Sequence, residues 1–252
     1  MAEELLRESA CDGLPPRLEL APWRNRWGLL AGITTRGDDD ATWDMGFAGA
    51  APIGQVLPRW HALAAACSPT KAVVAARQVH GREVRWHPAG GADGVRLLEG
   101  VDGHATAVPG LLLGVTVADC VPVYLADPAQ RLIALLHAGW RGTAAGILDT
   151  GIALLVQHGA RVPDLVMHAG VGICGACYQV GPEVLAAFGI ASAGRPGYLD
   201  LRSELARRAR GAGIGAVTVS PWCAAHDRHL FFSHRASGGA GGRMVAYLGL
   251  LS

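Results

Sequence analysis

Residues 111–138 read LLLGVTVADCVPVYLADPAQRLIALLHA. Three apolar runs, Leu111–Ala118, Val121–Ala126 and Arg131–Ala138, are broken only by Asp119-Cys120 and by the turn Asp127–Gln130, which carries Pro128. Short apolar runs between turn signals are the pattern of strands buried on both faces, so this stretch predicts a central buried sheet. Upstream, Gly28–Thr35, Ala72–His80 and Glu83–Trp86 read as further strands, and Gln55–Cys67 has the apolar spacing of a helix. Downstream, a helix is expected over Thr143–His158, with Thr143 as N-cap and Gly159 as stop. Leu165–Ala169, Ala216–Ser220, Leu230–Phe232 and Met244–Leu250 read as strands, and Pro182–Phe188 and Leu201–Arg210 as helices. Helices and strands are mixed without strict alternation, which disfavours a doubly wound parallel sheet. The expected class is α+β: one mixed sheet or β-sandwich flanked by helices. Residues 1–17 read as a mobile lead-in, charged and interrupted by Pro15 and Pro16, and residues 18–252 as a single catalytic domain.

Composition narrows the function classes. Half of the 252 residues are hydrophobic, 17% are charged, and the formal net charge is +1. No basic stripe is present, which argues against nucleic acid and membrane surfaces as partners. The N-terminus has neither a basic start nor an apolar run, and the stretch near Leu111–Ala118 is too short to span a bilayer. A soluble, cytoplasmic protein is expected. Its six cysteines are then reduced, each a packed hydrophobe, a metal ligand or a nucleophile.

Three strand ends carry chemistry: Arg77-Gln78-Val79-His80-Gly81, Ala118-Asp119-Cys120-Val121-Pro122 and Leu136-His137-Ala138-Gly139-Trp140-Arg141-Gly142. Imidazole and thiolate suit zinc, and three protein ligands with an open fourth position characterise catalytic zinc sites. His80, Cys120 and His137 match that count. Asp119 is a candidate to orient a ligand imidazole, or a strand-end cap. The spacing of the three residues fits no short zinc motif, so structural histidines are the competing reading. Arg36 and Arg141, each in a glycine-containing turn near a strand end, are the anion-binding candidates. Cys174-Gly175-Ala176-Cys177 has no second C-x-x-C and reads as packed cysteines in a turn, and His226 and His229 beside Cys223 read as surface histidines. Phosphate-loop and dinucleotide glycine patterns are missing.

The stretches RQVHG (Arg77–Gly81), TVADCVP (Thr116–Pro122), HAGWRG (His137–Gly142) and CYQVG (Cys177–Gly181) resemble, in order and separation, the purine nucleoside phosphorylase or laccase-domain family, also called polyphenol oxidoreductases or peptidoglycan editing factors. The resemblance covers about Gly32 to Leu250. It implies a mixed β-sandwich between helices, akin to the cytotoxic-necrotising-factor-like cysteine-hydrolase fold. It implies zinc held by His80, Cys120 and His137, which are also the catalytic residues, with Arg36, Gln78 and Arg141 binding substrate. The implied reaction is phosphorolysis of adenosine, inosine, guanosine or methylthioadenosine, with adenosine deamination as a side activity. The partners are thus a purine nucleoside and phosphate. Copper-dependent phenol oxidation and a metal-free Cys–His hydrolase acting on peptidoglycan precursors are the alternatives. Four departures stand out: Gln179 where the family has Glu, an acidic turn at Asp38–Asp40, a histidine in Asp102-Gly103-His104, and Trp222–His226 where the family has a cysteine-rich turn.

Overall fold

The computed structural model describes residues 3–38, 42–47, 51–89 and 93–251; Asp39 and Asp40 of the acidic turn lie outside them. Two seven-stranded mixed sheets stack face to face. The first runs in the order Glu4–Leu5, Ala216–Val219, Val166–Ala169, Val121–Asp127, Leu132–Ala138, Gly103–Thr106, Val84–His87. The second runs Ser9–Cys11, Arg17–Glu19, Leu29–Thr34, Met244–Leu250, Leu111–Val117, Ala72–Arg77, Gly94–Glu99. Alternation along each strand sends successive side chains to opposite faces, and here both faces are apolar. Leu111, Leu113, Val115 and Val117 pack between the sheets against Tyr124, Ala126, Ile133 and Leu135. Leu112, one residue out of phase, turns outward onto the helix Ile53–Ala66, where Trp60 and Leu63 lie. On the far side, Val121, Val123, Leu125, Ala134 and Leu136 face the helices Ile147–Gln157 and Leu201–Gly211. The result is four layers: helix, sheet, sheet, helices. Where the helix Ile53–Ala66 covers the second sheet, Gly114 gives Trp60 its seat, because a Cβ there would lie 3.0 Å from the indole.

The expected sandwich is observed, with one reassignment. The three apolar runs are not neighbours in one sheet. Leu111–Val117 pairs with Met244–Leu250 and Ala72–Arg77, whereas Val121–Asp127 pairs with Leu132–Ala138 and Val166–Ala169. Periodicity cannot separate these arrangements, because strands covered on both faces look alike in either sheet. The chain changes sheets at Asp119-Cys120, where Asp119 adopts φ 83°.

Other expectations change. The helix expected over Thr143–His158 is two helices, Trp140–Ala144 and Ile147–Gln157, broken at Gly146 with φ 88°. Thr143 is buried inside the first rather than capping the second. Leu230–Phe232 forms no strand. Within the segment read as a lead-in, Glu4–Leu5 runs parallel to Ala216–Val219, and Ser9–Cys11 pairs with Arg17–Glu19. Glu8 is buried, with its carboxylate 3.1 Å from His168 Nε2 and 2.8 Å from Ser220 Oγ. A short, charged segment lacks the apolar signature of a strand, and here partners distant in sequence order it. No helix among the described residues is long and apolar enough to cross a membrane.

Candidate metal centre and its cleft

His80, Cys120 and His137 meet at one end of the sandwich, with one ligand atom of each within 4.8 Å of the others. Their convergence follows from the topology. His137 continues the row Ile133, Leu135 that faces the opposite sheet. Cys120 lies at the crossover between the sheets. His80 follows Ala72–Arg77 in the second sheet and is held at φ 59°. A β-carbon on Gly139 would come within 3.1 Å of both Cys120 Sγ and His80 Cδ2, so glycine leaves room for the three to approach.

The carboxylate that organises this centre is Asp102, fully buried. Its Oδ1 accepts from His137 Nδ1 at 2.9 Å and from the His80 amide at 2.9 Å. Its Oδ2 accepts from the amides of Gly81 at 2.7 Å and Val79 at 3.2 Å. Three consecutive amides wrapped around one carboxylate hold His80 in its left-handed conformation. The Asp102 carboxylate also fixes the proton on His137 Nδ1, leaving Nε2 for Cys120 or a metal. Burial pushes the Asp102 carboxyl up, but the hydrogen bonds from His137 and Gly81 outweigh it and hold it below the usual range. Burial likewise raises the Cys120 thiol, yet the neighbouring His137 and His80 bring it down to about 6. Burial opposes the charge on His137, but Cys120 and Asp102 carry its pKa up to about 9. Without metal, these opposite shifts favour a thiolate–imidazolium pair. A thiolate and two imidazoles, one anchored by a carboxylate, are a donor set suited to zinc.

Asp119, the sequence candidate for orienting an imidazole, does something else. Its Oδ2 accepts from the Arg235 amide at 2.7 Å, and its Oδ1 is buried without a partner among the described residues. Sequence gave no signal for Asp102, because its partners lie 21 to 35 residues away.

The three residues line a cleft of about 790 Å³. Gln78 and Arg141 line it too. Gln78 is clamped to the second sheet: its Oε1 accepts from the Thr116 amide at 2.7 Å and its Nε2 donates to the Thr116 carbonyl at 2.9 Å, extending the pairing of Ala72–Arg77 with Leu111–Val117. The Arg141 guanidinium lies 4.4 Å from the Trp140 ring centre. Arg36 is not among the lining residues; its Nη1 donates to the Arg228 carbonyl at 3.0 Å. Arg77, Arg235 and Arg243 add positive charge to the walls, against Glu99 and Asp119. Arg235 also donates to the Gln179 carbonyl at 2.7 Å. Gln179 itself is exposed in a two-stranded ribbon and is not among the lining residues. His104 is buried away from the cleft, with Nδ1 3.1 Å from His87 Nε2.

A second donor cluster brings Cys174, Cys177 and Cys223 together with His226, so the cysteines are more than packing in a turn; His226, like His229 outside the cluster, is exposed as expected.

The chain is similar in sequence and fold to several known proteins. The family model described as multi-copper polyphenol oxidoreductase laccase matches residues 41–251. A purine nucleoside phosphorylase of Deinococcus radiodurans is 39% identical over 180 residues, spanning 69% of this chain and 68% of the relative. A protein named adenosine deaminase RL5, from an unknown prokaryotic organism, is 35% identical over 159 residues, spanning 58% of this chain and 61% of the relative. The crystal structure of YlmD from Geobacillus stearothermophilus superposes with a TM-score of 0.85 at 28% identity, covering 97% of this chain and all of that one.

Proposed function

We propose that this chain, which belongs to the family described as multi-copper polyphenol oxidoreductase laccase, is a zinc-dependent purine nucleoside phosphorylase with adenosine deaminase as a side activity. The observation that carries this reading is the meeting of His80, Cys120 and His137 in the wall of an arginine-bordered cleft. In phosphorolysis a phosphate oxygen attacks C1′ of the ribose. The C1′–N9 bond breaks, its electron pair goes to the purine, which takes up the proton the hydrogen phosphate gives up, and free base and ribose 1-phosphate result. The chain's own residues meet each requirement. Arg141, stacked on Trp140, and the neighbouring Arg235 hold the phosphate and neutralise its charge. Gln78 fixes the floor of the cleft, so substrate meets a rigid surface. His80, Cys120 and His137 would hold the zinc, and Asp102 keeps His137 in the tautomer that leaves Nε2 for it. When bound, zinc would supply Lewis acidity to the cleft. The names of the Deinococcus relative and of RL5 accord with the two activities.

The test is chromatography of free base from inosine and adenosine, incubated with zinc-loaded protein in phosphate buffer. Phosphate-dependent base release that disappears in Cys120→Ser, together with the metal at this centre, supports the reading. Zinc-loaded protein that leaves both nucleosides unchanged refutes it.

One observation favours a second reading. Cys120, His137 and Asp102 line up as nucleophile, base and orienting carboxylate, with the thiol brought down to about 6. That is the constellation of a metal-free hydrolase, which would cleave an amide of a peptidoglycan precursor. A chelator separates the two readings: it abolishes the zinc-dependent reaction and spares the dyad.

A further inference from the structure

The geometry points to a second, structural zinc site built from Cys174, Cys177, Cys223 and His226, separate from the cleft centre and independent of the reaction performed there. We propose that it staples together the two loops that leave the first sheet beside the cleft.

The topology brings the four ligands together. Val166–Ala169 and Ala216–Val219 are adjacent parallel strands, in register at Ala169 and Val219. The loops that follow therefore emerge side by side, and a bridge between Gly172 and Cys223 prolongs their pairing. On the first loop, Cys174 and Cys177 flank a tight turn in which the Cys177 amide donates to the Cys174 carbonyl at 3.0 Å. On the second, the His226 amide donates to the Cys223 carbonyl at 3.1 Å, and Asp227 Oδ2 accepts from the Cys223 amide at 2.9 Å. Each loop thus presents two donors from a closed turn, the arrangement of structural zinc sites.

The four donors lie close enough to share one ion, bound through a single His226 nitrogen. One ligand atom of each residue lies within 4.8 Å of the others. His226 stands between the first two cysteines, with Nδ1 3.7 Å from Cys174 Sγ and Nε2 3.0 Å from Cys177 Sγ. Zinc–sulfur and zinc–nitrogen bonds of about 2.3 Å and 2.0–2.1 Å give tetrahedral edges on the order of 3.5–3.8 Å. The Cys174 amide points at Cys223 Sγ from 3.3 Å, as amides do toward the sulfur of a metal-bound thiolate. Four protein donors leave no open position, so the ion holds structure and performs no chemistry on substrate. Three thiolates and one imidazole favour zinc over hard cations. What the site holds is the cleft wall: Ile173 and Tyr178, on either side of the cysteine turn, both line the cleft.

The decisive experiment leaves the cluster untouched. The full chain carrying Cys120→Ser is purified under reducing conditions, loaded with zinc, freed of excess metal and analysed for zinc per chain. One equivalent is expected, against two in the wild type. His226→Ala in the wild-type background should lose one equivalent and His226→Cys should retain it, which separates ligation from mere folding. Cobalt loaded into Cys120→Ser should give a tetrahedral spectrum with a thiolate charge-transfer band about three times that of the single-thiolate centre in His226→Ala/Cys223→Ser. Zinc-free Cys120→Ser protein with all cysteines titrating as free thiols overturns the proposal, as does a stable disulfide within the cluster under the same reducing conditions. A wild type holding one equivalent that Cys120→Ser abolishes would refute this site while leaving the cleft centre standing. Two equivalents without nucleoside turnover would do the reverse.

Discussion

Replacing Asp102 with Asn should damage fold and metal centre together, and the structure sets the size of the effect. The carboxylate accepts four hydrogen bonds, two on each oxygen. An amide keeps one acceptor oxygen and puts an NH₂ donor in place of the other. If the NH₂ takes the Oδ2 place, it faces the amides of Val79 and Gly81, donor against donor. If it takes the Oδ1 place, it opposes the His80 amide and forces His137 to move its proton to Nε2, the nitrogen needed for the metal. The first arrangement loses two hydrogen bonds to a charged group and the second loses one, at about 1.5–3 kcal/mol each, so a loss of about 1.5–6 kcal/mol is expected. Domains commonly have ~5–15 kcal/mol of stability, so the variant should still fold. Zinc affinity at the cleft centre should fall by roughly 10–100-fold, the usual effect of removing a carboxylate that orients a ligand histidine. Urea unfolding of the metal-free proteins measures the first effect, and competition with a chromophoric chelator the second. An Asp102→Asn protein within about 1 kcal/mol of wild type that binds zinc as tightly would refute the role assigned to this carboxylate.

Acid should destabilise the protein through a buried histidine pair. Burial, ahead of nearby Arg96, lowers His87 to about 4, and burial lowers His104 to about 3. Below pH 6.5 the unfolded chain therefore binds protons that the folded chain refuses. Stability is full above that pH and falls, from 6.5 toward 4, by about 1.4 kcal/mol per pH unit for each histidine. In the metal-free protein Cys120 and His137 act oppositely between pH 6.5 and 9: the depressed thiol favours the folded state as pH rises and the raised imidazole disfavours it, so they nearly cancel. Denaturant unfolding at pH 7.5, 6 and 5 checks this, and equal stability at all three would contradict it. Gly139→Ala should weaken zinc binding at the cleft centre at least about tenfold, because its methyl meets Cys120 Sγ and His80 Cδ2 at 3.1 Å; unchanged affinity in the chelator assay would show that the site relaxes freely. Arg141→Ala should raise the phosphate KM by roughly 10–100-fold, from the loss of a charged hydrogen bond; steady-state kinetics at varied phosphate would expose a wrong assignment as an unchanged KM.

Much of this protein is written locally. The strands Leu29–Thr34, Leu111–Val117, Val121–Asp127, Leu132–Ala138 and Met244–Leu250 announce themselves, because a strand buried on both faces must be apolar throughout. His80, Cys120 and His137 stand out because they place ligands at the ends of such strands, beside glycines that allow close approach. The family resemblance rests on those same stretches. Tertiary structure decided what depends on contacts between distant segments. Pairing partners assigned the apolar runs to two sheets, a choice periodicity cannot make. Asp102 became the organiser of the cleft centre only when strand pairing set Gly103–Thr106 beside Leu132–Ala138, while Asp119, adjacent to Cys120 in sequence, turned to the Arg235 amide. Two pairs of metal donors on loops 46 residues apart, Cys177 and Cys223, became one cluster because their strands run parallel side by side. Burial periodicity belongs to a single element and can be read along the chain. A metal site or a buried carboxylate takes its ligands and donors from several elements, so its chemistry exists only once the fold has brought them within a few ångströms.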